Sequence, residues 1–483
     1  LVRQHEGVEV DLAHLPPDDP DVYDMLNRAD TVGVFQVESR AQMATLPRMK
    51  PKCFYDLVVE VAIIRPGPIV GKMVHPYLRR RAGLEQVRYA HPDLEPILAR
   101  TLGIPLFQEQ VMRMAMAVAG FTGGQAEELR RALGSRRSRA RMERMIEALR
   151  EGMIRRGVTP DAQEEIVSSI ASFALYGFPE SHAASFALIA YASAWLKVHH
   201  PAAFYCALLN RWPMGFYHPA TLIKDAERHG VATRPVDVTV SSWDCTLEPA
   251  GTALAIRLGL KYVKGLSRRT GDAIVAERAK APFVGVADLG RRTQANQAEL
   301  LALAQVGAMD SLSQAGRRDA LWRALGAFGA RGLLAGTEQE VPEPGLRPMT
   351  GEEEVLADYD GLGLTTGPHP FAFMRGHLAG FSRAAQLATI ADGSIVKVAG
   401  IVVVRQRPKT AKGFYFATLE DETGLANVVV APDLFEANRA VLTNESFVGF
   451  EGRLQRRDGV VSVKAMRIIP LKGPFRYHSR DFV

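Results

Sequence analysis

The sequence predicts a mixed fold, in which a mostly α-helical first half is followed by short helical hairpins and a C-terminal β-barrel. Apolar residues recur at helical spacings of three and four through most of the first 230 residues, and residues 393–472 instead alternate as strands do. The 483 residues suggest about three domains at roughly 150 residues each. Apolar residues make up 47% and charged residues 23%, a composition that excludes wholesale disorder.

The first half is predicted to be a series of amphipathic helices. Helical spacing places them at 108–119, 125–133, 139–156, 161–175 and 181–199. Val58–Ile64 is a short β-branched run that ends at Arg65-Pro66-Gly67-Pro68. This run predicts a strand or a buried turn that leads into a tight loop.

Residues 264–312 are predicted to form two small helical hairpins, and Val263 to Val275 fits a helix-hairpin-helix. Gly265 takes the required hairpin position, and Ser267 stands where the usual second glycine would be. Such a turn presents backbone N–H groups to a DNA phosphate without reading bases. Positive charge comes from Lys264, Arg268 and Arg269. The alternative is a plain αα-hairpin that binds nothing.

The C-terminal block is predicted to be an OB-fold. Strands are expected at 395–404, 414–419, 425–430, 447–454 and 460–465, with a helix-like segment at 432–442. Three strands, a helix and two strands is the order of that barrel. Asp458-Gly459 predicts the hairpin turn between the last two strands.

The two loops that OB-folds use on oligonucleotides are basic in this sequence. The first carries Arg405, Arg407, Lys409 and Lys412, and the last carries Arg453, Arg456 and Arg457. Phe414, Tyr415 and Phe416 are candidates for stacking on single-stranded bases. Alternation puts Tyr415 opposite the other two, and the sequence leaves open which side faces the interior. The alternative is that the aromatics are core and the loops are only solvated.

Positive charge is concentrated in one helical segment. The chain carries a net charge of +6, whereas Arg130 to Arg156 holds ten arginines and three acids, a net +7. Thr122-Gly123-Gly124 opens the helix that carries Arg130 and Arg131, and Arg136 and Arg137 follow a glycine break. A Gly-rich helix N-terminus favours an anion, and paired arginines suit a triphosphate. The alternative is that these arginines form a solvated helix face and that Gly123-Gly124 is only a turn. A GC-rich genome would also favour arginine over lysine.

A second candidate site lies at the start of the last long helix. An aromatic turn with Tyr176 and Phe178 leads into a helix whose first turn contains Ser181 and His182. His182 is a candidate phosphate donor or proton-transfer group. The alternative is a capping serine beside a structural histidine.

Other patterns narrow the function classes. Three cysteines without a CxxC pair do not form a zinc site by themselves and fit a reducing cytoplasm. The longest low-charge apolar stretch, Ala183 to Leu196, has 14 residues, short of the roughly 20 that cross a bilayer, so no membrane span is expected. The sequence has no Walker A, HExxH or GxSxG pattern, and no close carboxylate pair in a strand context.

Five ordered motifs resemble the C-family bacterial DNA polymerases, the relatives of the DNA polymerase III alpha subunit. The motifs are Val34-Phe35-Gln36-Val37-Glu38-Ser39-Arg40, Arg65-Pro66-Gly67-Pro68, Phe107-Gln108-Glu109-Gln110-Val111, Leu129-Arg130-Arg131-Ala132, and Gly177-Phe178 with Ser181-His182. Further segments are similar to the error-prone branch of that family: 178–186, 234–237, 243–245 and 479–482. Pro179-Glu180 stands where replicative members have Asn-Lys, which replaces a cation beside the nucleotide with an anion.

The resemblance implies a domain layout. It comprises the palm edge and entry to the fingers (1–55), the fingers (56–232), a helix-hairpin-helix duplex-binding region (233–330), a linker and helical segment (331–392), the OB-fold (393–472) and a tail (473–483). The family's three catalytic aspartates, which bind two Mg²⁺ ions, would precede Leu1. This portion would then bind DNA and nucleotide without polymerising alone.

The resemblance also implies site residues and partners. Contacts to the incoming triphosphate would come from Arg130, Arg131, Arg136 and Arg137, with Ser181 and His182 against it and Tyr176 and Phe178 shaping the pocket. Residues 331–360 contain no clear clamp-binding Gln-x-x-Leu-Phe-type peptide. The resemblance implies primed template DNA and deoxynucleoside triphosphates as partners. Because the clamp-binding peptide is not found, it also implies an inactive Y-family-like mutagenesis protein that carries the sliding-clamp contact.

The implied function is error-prone, DNA-directed DNA synthesis across lesions in the cytoplasm. Two alternatives stay open: a fragment of a replicative alpha subunit, and a non-catalytic DNA-binding scaffold.

Overall fold

The structure, a computed structural model, describes most of the chain in two compact units. The described residues are 1–64, 71–133, 139–173, 178–313, 315–326, 345–408, 411–457, 459–473, 475, 477 and 479–482. One unit comprises Leu1–Val10, His199–Arg457 and Val461–Val483, and the other comprises Asp11–Val198 with Asp458–Val460. We call them the C-terminal unit and the N-terminal unit.

The N-terminal unit is helical. After α1 (Val2–Glu6), which belongs to the other unit, the helices are α2 (Pro20–Asn27), α3 (Arg40–Met49), α4 (Phe54–Ile63), α5 (Gly71–Arg81), α6 (Glu95–Leu98), α7 (Gln108–Ala119), α8 (Gly123–Leu133), α9 (Arg139–Arg155), α10 (Pro160–Phe173) and α11 (Glu180–His199). The five helices that periodicity predicts correspond to α7 to α11. None of the described helices combines the length and apolar character that a bilayer crossing requires.

The strand or turn predicted at Val58–Ile64 is wrong, because Val58 to Ile63 belong to α4 and Ile64 is the C-cap of that helix. Every residue from Asp56 to Ile63 is buried. A helix that is buried all round has no polar face, so its sequence lacks the helical period and resembles a buried strand.

Helices α7 to α10 share one hydrophobic core. Its buried members include Val111 and Met114 of α7, Leu129 of α8 and Leu149 of α9. Gly152 brings α9 close to the end of α7, because a Cβ there would lie 2.3 Å from the Ala119 carbonyl oxygen. This core fixes the N-terminus of α7 relative to α8.

The C-terminal unit begins with helices and a small sheet. It contains α12 (Pro201–Arg211), α13 (Pro219–Arg228), β1 (Thr233–Arg234), β2 (Thr246–Ala250), β3 (Ala253–Arg257), α14 (Arg268–Lys280), α15 (Val286–Thr293), α16 (Gln297–Gln305), α17 (Arg317–Gly326), α18 (Gly351–Gly361) and α19 (Pro370–Met374). The central strand β3 pairs parallel with β1 and antiparallel with β2. Helices α14 and α15 form the first predicted hairpin, whereas the second pairs α16 with α17 and so extends beyond residue 312.

The C-terminal block is a closed barrel, which confirms the predicted OB order. Its elements are β4 (Ile395–Gln406), β5 (Tyr415–Asp421), β6 (Gly424–Val430), α20 (Pro432–Ala437), α21 (Arg439–Asn444), β7 (Phe447–Arg457) and β8 (Val460–Pro470). The strand order is β5-β6-β8-β7-β4, and pairing of β4 with β5 closes the ring. A further strand, β9 (Arg480–Phe482), lies parallel to β4. The predicted single helix is two short helices that meet at Asn438.

Candidate nucleotide and nucleic-acid sites

The N-terminus of α7 brings together two segments that the sequence separates. The Gln108 backbone N–H donates to the Phe178 carbonyl at 3.0 Å, and Arg130 Nη1 donates to the Gln108 side-chain oxygen at 3.4 Å. The Glu180 backbone N–H donates to the Glu109 carboxylate at 3.0 Å. Helix α8 and the start of α11 therefore meet at two consecutive residues of α7.

Arg130 and Arg131 share one carboxylate, that of Glu127. Arg130 binds it through two nitrogens at 2.7 and 2.8 Å, and Arg131 Nε donates to it at 3.0 Å. These hydrogen bonds, those of Arg130 foremost, hold the pKa of Glu127 at about 2. Two guanidinium groups on one carboxylate leave a net positive charge at the surface of α8, held in a fixed geometry.

A row of three aromatic rings lies at the start of α11, and we call it the His182 shelf: Phe178, His182 and Phe186. The His182 ring lies 5.0 Å from the Phe178 ring and 4.3 Å from the Phe186 ring, measured between centroids. Ser181 and His182 are exposed. Since α11 begins at Glu180, Ser181 lies inside the first turn and does not cap the helix. The Glu180 N–H already donates to Glu109, whereas the first-turn N–H groups of Ser181 and His182 have no intrahelical acceptor, so this surface favours an anion.

The Glu180 side chain is held by a tyrosine from α4. Its carboxylate accepts from the Tyr55 hydroxyl at 2.9 Å, and burial raises the pKa of that hydroxyl above its usual value. The Arg100 guanidinium lies 3.6 Å from the centre of the Tyr55 ring. Sequence reasoning missed Tyr55 and Arg100, because they reach the site through contacts that no local motif encodes. It also missed Glu127, whose spacing of three and four residues from the arginines is a local signal for helical ion pairs.

Three of the predicted nucleotide contacts, Arg136, Arg137 and Tyr176, lie outside the described residues. The described carboxylates near this site do not fit a divalent cation. Glu127 is held by two arginines, Glu109 accepts a backbone N–H, and Glu180 accepts a hydroxyl. Among the described residues, none of the three belongs to a group of at least three side chains whose ligand atoms lie close enough together to share one ion.

The turn before α14 has the features of a phosphate-binding hairpin. Gly265 has φ +85°, and a Cβ there would meet open space. Ser267 caps α14, since its hydroxyl accepts from the Thr270 backbone N–H at 3.2 Å. This capping role accounts for a serine at the position of the usual second glycine. The first-turn N–H groups of Arg268 and Arg269 have no intrahelical acceptor.

The three cations predicted at this turn differ in how many hydrogen bonds and ion pairs their side chains already make. Lys264 Nζ donates to the carbonyls of Asp360 at 2.7 Å and Tyr359 at 3.3 Å. Arg268 pairs with Asp272 at 3.2 Å and lies over the Trp243 ring. Within the described chain, Arg269 is exposed and makes no hydrogen bond or ion pair. It is therefore the most available of the three.

The structure settles which barrel aromatics face outward. Tyr415 is buried in the barrel core, and its hydroxyl donates to the Leu442 carbonyl at 3.1 Å. Phe416 faces the opposite side of β5 from Tyr415. It pairs with Val429 of β6, and Val429 pairs with Lys464 of β8, so the three residues form a row across three strands. Lys464 is exposed. Sequence reasoning missed Lys464, because the parallel pairing of β6 with β8 is not a local feature.

Arg405 does not lie in an exposed loop, as the sequence suggested. It is buried near the end of β4, where it donates to the Leu442 carbonyl at 2.9 Å and to the Glu445 carbonyl at 2.5 Å. It also contacts the Ser479 hydroxyl. These contacts make Arg405 a structural link, and it is removed from the candidate DNA contacts.

The remaining loop cations lie at or near the surface. Arg407 pairs with Glu436 at 2.7 Å, and Arg453 donates to the Gly393 carbonyl at 3.3 Å. Arg456 donates to the carbonyls of Ala388 and Ile390. Arg457 and Lys412 are exposed, and Lys409 lies outside the described residues. Arg457 and Lys412 are therefore the loop cations best placed for a ligand.

Three family models match the chain. Residues 1–157 match the bacterial DNA polymerase III alpha subunit finger domain, 230–320 match a helix-hairpin-helix motif, and 396–471 match an OB-fold nucleic acid binding domain. An error-prone DNA polymerase from Anaeromyxobacter sp. (strain K) is 52% identical over 95% of this chain and 42% of its own length. The chain belongs to the C family of bacterial DNA polymerases.

Other relatives support the placement on the error-prone branch of the C family. Error-prone DNA polymerase 2 of Rhizobium meliloti (strain 1021) is 48% identical over 98% of the chain and 45% of its own length. The error-prone DNA polymerase of Pseudomonas fluorescens (strain Pf0-1) is 48% identical over 100% of the chain and 48% of its own length. The chain spans less than half the length of these curated C-family relatives.

The family models cover the candidate residues unequally. Arg130 and Arg131 lie inside the finger-domain match, and the α14 turn lies inside the helix-hairpin-helix match. Ser181 and His182 lie beyond the finger-domain match. The contacts of the neighbouring Phe178 and Glu180 with Gln108 and Glu109 bring them close to residues of that match.

Proposed function

We propose that this chain is the nucleotide- and DNA-handling part of an error-prone DNA-directed DNA polymerase that acts in translesion synthesis in the cytoplasm. The observation that carries the proposal is the meeting of α8 and α11 at Gln108 and Glu109. It sets the paired arginines of α8 and the exposed His182 shelf around one helix terminus. The names of the relatives favour the error-prone reading over the replicative alternative.

In this proposal the triphosphate binds Arg130 and Arg131, with Arg136 and Arg137 completing the cationic surface. The two described arginines exchange part of their contact with Glu127 for phosphate oxygens. Ser181 and His182 lie against the phosphates, and Tyr176 and Phe178 line the pocket. Because phosphoryl transfer depends on positioning and charge neutralisation, these cations contribute to rate as well as affinity.

The DNA path runs over two further surfaces of the chain. The α14 turn binds duplex phosphates through Gly265, the backbone N–H groups of Arg268 and Arg269, and the side chains of Lys264, Arg268 and Arg269. The barrel binds the single-stranded template through the outward Phe416 and Lys464, with the loop cations Arg407, Lys409, Lys412, Arg453, Arg456 and Arg457 around it. Matches to nucleic-acid-binding domain models support both assignments.

We also propose the metal and protein partners. The ion is Mg²⁺, held by aspartates in the part of the relatives that this chain does not span; its chemistry is neutralisation of charge on the reacting phosphoryl group. The carboxylates described near the arginines do not fit that role. From the family resemblance we propose an inactive Y-family-like mutagenesis protein as the partner that supplies the sliding-clamp contact.

The test is steady-state primer extension by the polypeptide of the intact reading frame. Arg130→Ala with Arg131→Ala should raise KM for the nucleotide or lower kcat far more than it weakens binding of primed DNA. The matched control is Arg144→Ala with Arg155→Ala, which removes the same charge from α9 in the same basic segment. Unchanged kinetics in the first variant would refute the nucleotide site. An intact polypeptide that binds primed DNA but extends no primer would instead support the scaffold alternative.

A further inference from the structure

A cavity of about 370 Å³ lies beside the α14 turn in the C-terminal unit, and Lys264 is the one lining residue that the functions above already use. It is bounded by the end of α12, the start of α13, the residues around Tyr262 and the end of α18. Pockets for small ligands range from about 300 to 1,000 Å³, so this volume suits a compact ligand.

The cavity wall is rich in aromatic rings. Trp212, His218, Tyr262 and Tyr477 all line it. The Trp212 and His218 rings meet nearly edge to face at 71°, with centroids 5.5 Å apart. Trp212 nevertheless remains 38% exposed. An exposed indole that is packed edge-to-face on its neighbour can offer a flat surface to a planar ligand.

Two lysines add positive charge to this wall. Lys261 Nζ donates to the Asn210 carbonyl at 2.9 Å and to Asp244 at 3.1 Å, and Lys264 Nζ donates to two carbonyls at the end of α18. Each ammonium group has three N–H donors, so each retains one for a ligand. The Asp244 carboxylate offsets the charge of Lys261. The contacts of Lys264 are to carbonyls, which hold its ammonium group in place without neutralising it. Planar stacking surfaces beside a fixed, unneutralised cation match a nucleobase that carries a phosphate.

The cavity adjoins the proposed duplex-binding turn. Lys264 lines the cavity, and the next residue, Gly265, begins the turn that is proposed above to bind duplex phosphates. We propose that the cavity binds a single unstacked nucleobase, which packs on Trp212 while its phosphate contacts Lys264. This inference rests on the proposed DNA binding by the α14 turn. The nucleobase belongs either to an unpaired position in a DNA strand or to a free nucleotide.

The experiment measures binding of the 483-residue chain to three labelled duplexes by fluorescence anisotropy. One duplex is fully paired, one has a single bulged adenosine, and one has a bulged abasic site in the same place. The wild-type chain should prefer the bulged adenosine to the abasic bulge by about tenfold, the size of one base–aromatic contact. Trp212→Ala should abolish that preference, and Trp212→Phe should keep most of it.

The matched control is Trp322→Ala, because Trp322 is 43% exposed and lies in α17 outside the cavity. This variant should keep the full preference. Binding of dAMP that is lost in Trp212→Ala, without any preference among the duplexes, would identify a free nucleotide as the occupant. If Trp212→Ala changes neither the duplex preference nor dAMP binding, the proposal is overturned.

A further variant separates this failure from failure of the proposed function. Arg268→Ala with Arg269→Ala should weaken binding to the fully paired duplex and leave the ratio between the two bulged duplexes unchanged. If Arg268→Ala with Arg269→Ala weakens binding to the fully paired duplex while Trp212→Ala has no effect, only the nucleobase site is refuted. If the double variant does not weaken binding to the fully paired duplex, the proposed role of the α14 turn in DNA binding is refuted.

Discussion

Arg228 of α13 donates to the Glu420 carboxylate of β5 at 2.9 Å, which joins the barrel to the helical part of the C-terminal unit. The carboxylate also accepts from the Thr221 hydroxyl at 2.9 Å. Glu420 is buried, and burial raises its pKa despite the nearby guanidinium. The Glu420 carboxylate therefore lies where water does not reach it, and its negative charge depends on the Arg228 guanidinium for compensation.

Arg228→Met should lower the free energy of unfolding of the C-terminal unit by about 3–5 kcal/mol, because it leaves Glu420 buried without its cation. The loss should shrink as the pH falls, since protonation of Glu420 then removes the unpaired charge. Urea unfolding at two pH values measures both effects. Arg318→Met is the control, because its pair with Glu353 is more exposed and should contribute less than about 1 kcal/mol. Equal losses in the two variants would contradict the assignment.

Gly152→Ala should destabilise the N-terminal unit by about 1–3 kcal/mol, because the added methyl group overlaps the Ala119 carbonyl and separates α9 from α7. Gly123→Ala is the matched control, since a Cβ at that position meets nothing within 4 Å. Thermal or urea unfolding of the two variants compares them directly. A loss in Gly123→Ala as large as in Gly152→Ala would show that helix propensity, and not the close approach, determines the effect.

His369 predicts an acid-sensitive step in stability. Burial lowers its pKa to about 3, and its Nδ1 accepts from the Phe371 backbone N–H at 3.2 Å. Between about pH 3 and 6.5 the unfolded chain binds a proton that the folded chain does not, so this contribution to stability is lost as the pH falls. At pH 5 the loss from this residue should be about 2 kcal/mol relative to pH 7.

His369→Asn keeps an acceptor for the Phe371 N–H and removes the titrating group. Its stability should therefore depend less on pH between 5 and 7 than that of the wild type, as measured by urea unfolding. His377→Asn is the control, because His377 is exposed in a neighbouring turn. If the pH dependence is the same in both variants, His369 is not its source.

The sequence predicted the barrel well and the buried helix poorly, for physical reasons. The order of β4 to β8 follows from local alternation and from turn residues such as Gly459, which has φ +83°. Helix α4 is buried on every side from Asp56 to Ile63, so its sequence shows no exposed polar face that repeats at the helical period. Periodicity in the sequence predicts a helix or a strand only when one face of that element is apolar and buried and the other is polar and exposed.

The candidate sites divide in the same way. The sequence located Arg130, Arg131 and the α14 turn, because helix starts and glycine turns are local signals. It could not show that Arg130 meets Gln108, 22 residues earlier, or that Arg405 is buried against carbonyls of Leu442 and Glu445. Whether a basic residue binds a ligand or its own backbone is decided by tertiary packing.

The barrel face gives a prediction that separates a ligand contact from a structural arginine. Lys464→Ala with Arg457→Ala should weaken single-stranded DNA binding by the full chain. Each lost phosphate contact should reduce the slope of log affinity against log salt by about 0.7. Arg405→Ala should instead lower barrel stability and leave the salt slope unchanged wherever the protein remains folded. A salt slope that changes only in Arg405→Ala would reverse the two assignments.

Glu127 is predicted to compete with the triphosphate for the paired arginines. Glu127→Gln removes a negative charge that both guanidinium groups now contact, so more of their charge faces the phosphates. Affinity for a fluorescent deoxynucleoside triphosphate should rise by about two- to fivefold, as expected for an exposed ion pair. Glu128→Gln is the matched control, because the next residue carries the same charge but pairs with Arg141 at 3.1 Å. Weaker binding in Glu127→Gln, with Glu128→Gln unchanged, would mean that the carboxylate orients the arginines and does not compete with the nucleotide.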